Sequence, residues 1–196
     1  MTWIAFEGGD GSGKSTQARL LADRLGAVLT REPGGTTVGA RIRELLLEPG
    51  PAIDERAETL LMAADRAQHV REVVEPALQA GRVVVSDRSA FSSLAYQGYG
   101  RGLGVDEVRR ICAWASGDRW PDLAVLLQVQ PDAQRARMRG APDRMEASGR
   151  AFHSRVAAGF VALAAEDPDR WCVVDGLGAV EEVADRVWDA CHHRLG

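Results

Sequence analysis

Short runs of apolar residues alternate along this chain with longer stretches whose apolar positions recur at helical spacing. Residues 3–7 are apolar on both faces and run directly into a glycine-rich turn, as a buried strand would. Residues 15–25 place Ala18, Leu21, Ala22 and Leu25 on one face and stop at Gly26, so they predict a helix. A second strand is expected over 27–30, a loop over 31–37 around Pro33, Gly34 and Gly35, and a helix over 38–47. Residues 54–80 read as one long helix or two, capped at Asp54, with Pro76 marking a bend or break. The pattern then predicts a strand over 83–85, helices over 92–99 and 105–116, and a strand over 123–129. A helix over 132–138, a charged loop over 139–149, a helix over 150–165, a strand over 171–175 and a helix over 180–195 complete the chain.

Strands that are short and apolar on both faces, each followed by a helix, are the signature of parallel strands covered on both sides. The expected fold is therefore an α/β sandwich with about five parallel strands. Residues 1–196 read as one domain without a linker, repeat or low-complexity segment.

Composition narrows the possibilities without naming one. Hydrophobic content of 45% and charged content of 27% are those of an ordinary globule. A net charge of −4 gives no field that favours nucleic acid or an acidic membrane surface. No apolar run approaches the roughly 18 residues of a membrane span, and no signal peptide is expected. Cys112, Cys172 and Cys191 are scattered and form no C-x-x-C pair, so isolated thiols in a reducing cytoplasm are expected. His69, His153, His192 and His193 show no metal-ligand spacing, and Trp114, Trp120, Trp171 and Trp188 suit core or interface positions.

One pattern carries chemistry unambiguously. Of the 24 positively charged side chains all but Lys14 are arginine, and that lysine sits in Gly8-Gly9-Asp10-Gly11-Ser12-Gly13-Lys14-Ser15-Thr16. The segment fits G-x-x-x-x-G-K-[ST] and lies between a predicted strand and a predicted helix, the context a phosphate loop requires. Backbone N–H groups there converge on anionic oxygens. A compact ammonium reaches between β- and γ-phosphates where a planar guanidinium fork does not. Lys14 is thus expected on the phosphates of ATP and the Ser15 hydroxyl on Mg²⁺. Asp10 is unusual inside such a loop, because a carboxylate repels triphosphate. It serves a second ligand, through a sugar hydroxyl or the outer shell of Mg²⁺, or it merely forms the Asp-Gly turn.

Two further clusters gain meaning beside that loop. The predicted strand at 83–85 exits into Asp87 and Arg88, at the carboxyl end where ligands bind in such sheets. Asp87 is expected to face Mg²⁺ through water and Arg88 to clamp a phosphate, the alternative being a surface ion pair. Arg135, Arg137, Arg139 and Arg144 crowd a predicted lid over about 135–149. In isolation such a run is a solvated face; next to a phosphate loop it suits charge stabilisation on a transferred phosphoryl group. Asp65-Arg66-Ala67-Gln68-His69 reads by itself as a polar helix face.

The motifs together resemble the thymidylate kinase family, bacterial type. The resemblance rests on the segments 6–17, 30–36 (Thr-Arg-Glu-Pro-Gly-Gly-Thr), 64–69 (Ala-Asp-Arg-Ala-Gln-His), Asp87-Arg88 with 92–98 (Ser-Ser-Leu-Ala-Tyr-Gln-Gly), and 143–146 (Asp-Arg-Met-Glu). It implies a P-loop sheet of strand order 2-3-1-4-5 and transfer of a phosphoryl group from MgATP to dTMP in the cytoplasm, by a homodimer joined through helices within 54–80 and 105–116. By the same resemblance Asp10 contacts the sugar 3′-hydroxyl, Arg66 reads the thymine edge, Ser93 lies near the base, and Gln97 is a substrate-binding residue. Arg88 holds the acceptor phosphate. Tyr96 packs where a ribose 2′-hydroxyl would clash, and Arg31, Glu32, Pro33 and Gly34 form the acceptor-phosphate wall. Gly11 stands where one variant of the family carries its catalytic arginine, so the resemblance is to the variant whose lid supplies it, through Arg137, Arg139 or Arg144. Met62 occupies the base-stacking position and Ser89 a position often aromatic in the family. Alternatives from the residues alone are a different P-loop nucleotide kinase and a nucleotide-dependent switch; the latter lacks a guanine-specifying N-K-x-D segment, because the single lysine is already used.

Overall fold

The computed structural model describes residues 2–48, 50–137 and 143–194. Five strands form one parallel sheet: β1 Trp3–Glu7, β2 Val28–Arg31, β3 Val84–Asp87, β4 Leu123–Gln128 and β5 Trp171–Asp175. Their order is β2-β3-β1-β4-β5, as the resemblance implies. β1 is buried along its whole length and lies at the centre, paired with β3 on one side and β4 on the other. The edge strand β2 departs from the two-faced pattern. It covers β3 on one side only, and Leu29 remains 45% exposed.

Helices cover both faces. Helix α1 (Lys14–Leu25) ends at Gly26 with φ of 60°, the left-handed stop its sequence predicts. Its Leu21 and Ala22 pack with Ile4, Phe6, Val125 and Val187 on one face of the sheet. On the other face Phe91, Leu94, Phe160, Leu163 and Trp171 form a second core. Between 31 and 37 the loop is shorter than expected. Arg31 completes β2, and Thr36 caps helix α2 (Thr37–Leu47) by accepting from the Gly39 N–H at 2.9 Å.

The 54–80 segment resolves as helix α3 (Glu55–His69), one wide π-helical turn over Val70–Val74, and helix α4 (Glu75–Gln79). Pro76 falls in the first turn of α4, directly after the wide turn. The predicted helix over 92–99 is likewise divided. It is a single turn, α5 (Ala90–Ser93), running into a wide turn over Leu94–Gly100. Wide turns of this kind concentrate at functional sites, and this one carries Tyr96 and Gln97. Helices α6 (Val105–Ser116), α7 (Pro131–Arg137), α8 (Arg150–Glu166) and α9 (Val180–Cys191) follow; α9 stops at Cys191, short of the predicted 195.

The sequence leads one to expect isolated thiols. All three are buried free thiols, and Cys172 on β5 donates to the Ala190 carbonyl at 3.0 Å, next to Cys191 at the end of α9. Every strand points its carboxyl end to the same side of the molecule, so Glu7, Arg31, Asp87, Gln128 and Asp175 bring their following loops to one rim.

Candidate active site

At that rim a cleft of about 540 Å³ is lined by Asp10 through Gln17, by Arg31, Glu32, Arg43, Asp87 and Arg88, and by Arg137, Glu146, Gly176 and Gly178. The glycines of the loop answer to sterics. At Gly8 φ is 136°, and a Cβ would lie 2.7 Å from the Leu127 carbonyl oxygen on β4. Gly13, φ 95°, turns the chain into α1, whose first N–H groups open on the cleft. Gly8 and Gly9 form the back of the loop, Gly9 against the Gln134 side chain. The remaining loop residues, Asp10 to Thr16, face the cleft itself.

Lys14 folds back across the loop, donating to the Gly9 carbonyl at 2.8 Å and to Ser12 Oγ at 3.5 Å. Burial, and then the neighbouring Arg88, lower its ammonium to about 8 against the pull of Asp10, Asp87 and Glu7. The Ser15 hydroxyl donates to Asp87 Oδ2, while Asp87 Oδ1 is buried without a hydrogen-bond partner. An orphaned carboxylate oxygen beside a phosphate-loop hydroxyl fits a hydrated Mg²⁺. Among the described residues no three His, Cys, Asp or Glu side chains converge as a metal cage.

Arg88 organises the wall on the other side. Its backbone sits at φ 73°, in the left-handed region a bulky side chain rarely adopts. Such strain persists only where surrounding contacts over-determine it, and here they do. NH1 donates to the Gly8 carbonyl and to Ser92 Oγ, each at 3.1 Å; NH2 donates to Asp10 Oδ1 at 2.5 Å and to the Tyr96 hydroxyl at 3.2 Å. Tyr96 in turn donates to Asp10 Oδ2 at 3.0 Å. Burial opposes ionisation of Asp10, but Arg88 and Lys14 outweigh it and hold the carboxyl at about 2. Asp10 is thus a permanent anion fixed by a cation and a phenol, which is more than an Asp-Gly turn requires.

Behind Arg88 lies a smaller pocket of about 80 Å³, walled by Pro33, Met62, Asp65, Arg66, Ser89, Ser93, Tyr96 and Gln97, and by Asp143 and Met145 from the lid segment. Arg66 is only 2% exposed. Its Nε donates to Glu32 Oε2 at 2.9 Å, NH2 to Ser93 Oγ at 3.1 Å and NH1 to Cys112 Sγ at 3.2 Å. Glu32 also pairs with His69 Nδ1 at 2.8 Å, and Gly34 N–H donates to Asp65 Oδ1 at 2.9 Å. Burial opposes the Glu32 charge, but Arg66 and His69 pull its carboxyl below the ordinary range. The segment at 65–69 is therefore no solvated face: Asp65, Arg66 and His69 are all buried, against the reading of that segment by itself.

The lid arginines separate. Arg137 lines the phosphate cleft and donates twice to the Gly176 carbonyl, both at 3.1 Å. Arg144 lines neither cavity; its guanidinium is held by Glu58 and by the Leu46 carbonyl. Arg139 lies outside the described residues.

Several site residues escaped the sequence reading. Arg43 reaches both cavities from α2 and donates to the Pro33 carbonyl at 2.9 Å; nothing in its surroundings along the chain distinguishes it from Arg41. Glu7 hides in the apolar strand β1, where it accepts from Ser89 and Ser92. Gly176 and Gly178 had a usable signal, a Gly-x-Gly directly after the last strand.

Fold and site together define a P-loop phosphotransferase with a second, smaller pocket beside its phosphate loop. The comparisons with known proteins agree. Residues 6–187 match the thymidylate kinase family. A thymidylate kinase of Leifsonia xyli is 51% identical, with 94% of this chain and 91% of the relative aligned. One from Synechococcus is 47% identical over 98% of this chain and 96% of the relative. The crystal structure of thymidylate kinase from Ehrlichia chaffeensis superposes with a TM-score of 0.80 at 31% identity, covering 96% of this chain and 97% of that one. The chain belongs to the thymidylate kinase family, enzymes that phosphorylate dTMP with ATP.

Proposed function

We infer that the two cavities divide the reaction between them, donor in the phosphate-loop cleft and acceptor in the smaller pocket, so that the γ-phosphoryl group of ATP passes to dTMP and yields ADP and dTDP. The observation that carries this is the shared wall: Asp10, Glu32, Arg43 and Arg88 line both cavities, so the two phosphate ends meet there. The acceptor is already a phosphate oxygen and a competent nucleophile at neutral pH, so no general base is needed. Catalysis reduces to in-line placement and charge neutralisation.

Lys14 clamps the donor phosphates, and Arg88, with Arg31 and Arg43 beside it, takes the acceptor phosphate. Arg137 neutralises charge on the transferred group from the cleft wall, and Arg139 remains a second candidate. Ser15 and Asp87 would hold Mg²⁺, Asp87 through water; when bound, the ion supplies charge neutralisation across the β- and γ-phosphates. Asp10 receives the sugar 3′-hydroxyl, Tyr96 closes the space a 2′-hydroxyl would need, and Arg66 and Gln97 face the base with Met62 packed against it. Glu32 keeps Arg66 charged and aimed, and Pro33 and Gly34 complete the wall.

No helix of the described residues is long and apolar enough to cross a membrane. We place the enzyme in the cytoplasm as a homodimer. Supporting the dimer, Leu60 on α3 is 59% exposed and Trp114 on α6 is 86% exposed, apolar side chains left uncovered on two helices packed against each other. The deciding experiment is a coupled ADP-release assay with MgATP against dTMP, dUMP, UMP and no acceptor. ADP formation that requires dTMP supports the assignment; equal ADP formation without any acceptor would overturn it.

A further inference from the structure

One buried carboxylate lies outside every role so far assigned. Glu58, on α3, has no exposed surface. Its Oε1 accepts from Gln97 Nε2 at 2.9 Å and from Arg101 Nε at 3.2 Å; its Oε2 accepts from Arg101 NH2 at 2.9 Å and lies 3.0 Å from Arg144 NH2. Arg101 alone neutralises Glu58. A second guanidinium on the same carboxylate leaves an excess of positive charge in a largely dehydrated place, which burial disfavours. Charge balance of the fold therefore does not explain Arg144.

What Arg144 carries does explain it. Its Nε donates to the Leu46 carbonyl at 2.8 Å and its backbone N–H to the Leu47 carbonyl at 3.2 Å. These bonds tie segment 143–148 to the end of α2, and the flanking Asp143 and Met145 then form part of the acceptor pocket. Met145 is 5% exposed and packs in the same core as Tyr96 and Phe152. On the far side of Glu58, Gln97 is both its hydrogen-bond partner and a pocket wall. One carboxylate thus joins two walls of the pocket that come from distant parts of the chain.

We propose that Glu58 and Arg144 are positioning residues for the acceptor: their ion pair holds segment 143–148 in place as a wall of the dTMP pocket, and Arg144 does not act on the transferred phosphoryl group. This rests on the assignment of that pocket to dTMP. The wild-type protein titrated calorimetrically with dTMP, and separately with ADP, supplies the reference. Arg144→Ala, which leaves Glu58 paired with Arg101 and Gln97, should weaken dTMP binding about ten-fold, within the roughly 5- to 150-fold range of coupling between sites. Its ADP binding should stay unchanged, and KM should rise for dTMP and not for ATP. Arg144→Lys should recover part of the loss, since an ammonium reaches Glu58 but not the Leu46 carbonyl at the same time. Glu58→Gln, which breaks the pair and also takes the carboxylate from Arg101 and alters the bond to Gln97, should weaken dTMP binding at least as much as Arg144→Ala. Wild-type dTMP affinity in Arg144→Ala, with or without a lowered melting temperature, would overturn the proposal. So would intact dTMP binding with a collapse of kcat, which would return Arg144 to the chemistry. Wild-type protein that binds ADP and no dTMP would overturn the pocket assignment itself.

Discussion

Glu7 shows how much one buried side chain can control. Burial pushes its carboxyl up to about 7, against the hydrogen bonds from Ser92 and Ser89 and the charges of Arg88 and Lys14. The folded protein holds that proton more tightly than the unfolded chain. The stabilisation is therefore complete below the ordinary value of 4.5 and is lost as pH rises through about 7. Glu7→Gln removes this dependence while leaving other carboxyls, Asp65 included, as they were. In urea unfolding compared at about pH 5 and about pH 7.5, the wild type should lose roughly 2 kcal/mol more than the variant. Equal losses would show that Glu7 is ionised throughout. Under the proposed function Tyr96 makes a different kind of contribution, to selectivity. Its ring packs edge-on against Phe152 and Phe160 while its hydroxyl binds Asp10. Tyr96→Ala should lower the ratio of kcat/KM for dTMP over a ribonucleotide acceptor by at least about ten-fold. The ratio cancels any general loss of activity, so an unchanged value would remove Tyr96 from sugar discrimination.

Among elements, the junction of α2 with α3 shapes a wall of the smaller pocket, the acceptor site under the proposed function. Gly39 lies in α2 where a Cβ would stand 2.3 Å from Asp65 Oδ1, the oxygen that also accepts from Gly34 N–H. Alanine is the better helix former by about 1 kcal/mol, yet the clash with a buried carboxylate should win. Gly39→Ala is expected to destabilise by about 1–3 kcal/mol net and to raise KM for dTMP through the displaced 33–35 turn. A variant as stable as the wild type would show that α2 can shift without cost. Element types were legible along the chain because each strand is a compact apolar run and each long helix has a clear stripe. The exceptions are informative. Both wide turns, at 70–74 and 94–100, were read as ordinary helix, since an extra residue per turn leaves no trace in a 3.6-residue pattern.

For the whole molecule the open question is assembly. Trp114, with 86% of its surface exposed, is the most exposed large hydrophobic residue described, and an isolated tryptophan is costly to leave in water. In light scattering at micromolar concentration the wild type should be a dimer and Trp114→Glu a monomer. A wild type monomeric at every concentration would reject the dimer, and a dimeric Trp114→Glu would move its interface elsewhere.

The sequence by itself determined the sheet class, the phosphate loop and the family resemblance, because these depend on local periodicity and on residues a few positions apart. Lys14, Ser15, Asp87 and Arg88, which line the cleft, were singled out along the chain for that reason. Tertiary structure alone decided what depends on distance through space. It placed Arg43 on the wall common to both cavities and buried Asp65 and His69 beside Arg66. It also sorted Arg137 from Arg144, two residues of one charged segment. Along the chain all arginines look alike, and only the carboxylate, carbonyl or cleft that folding brings to each one tells them apart.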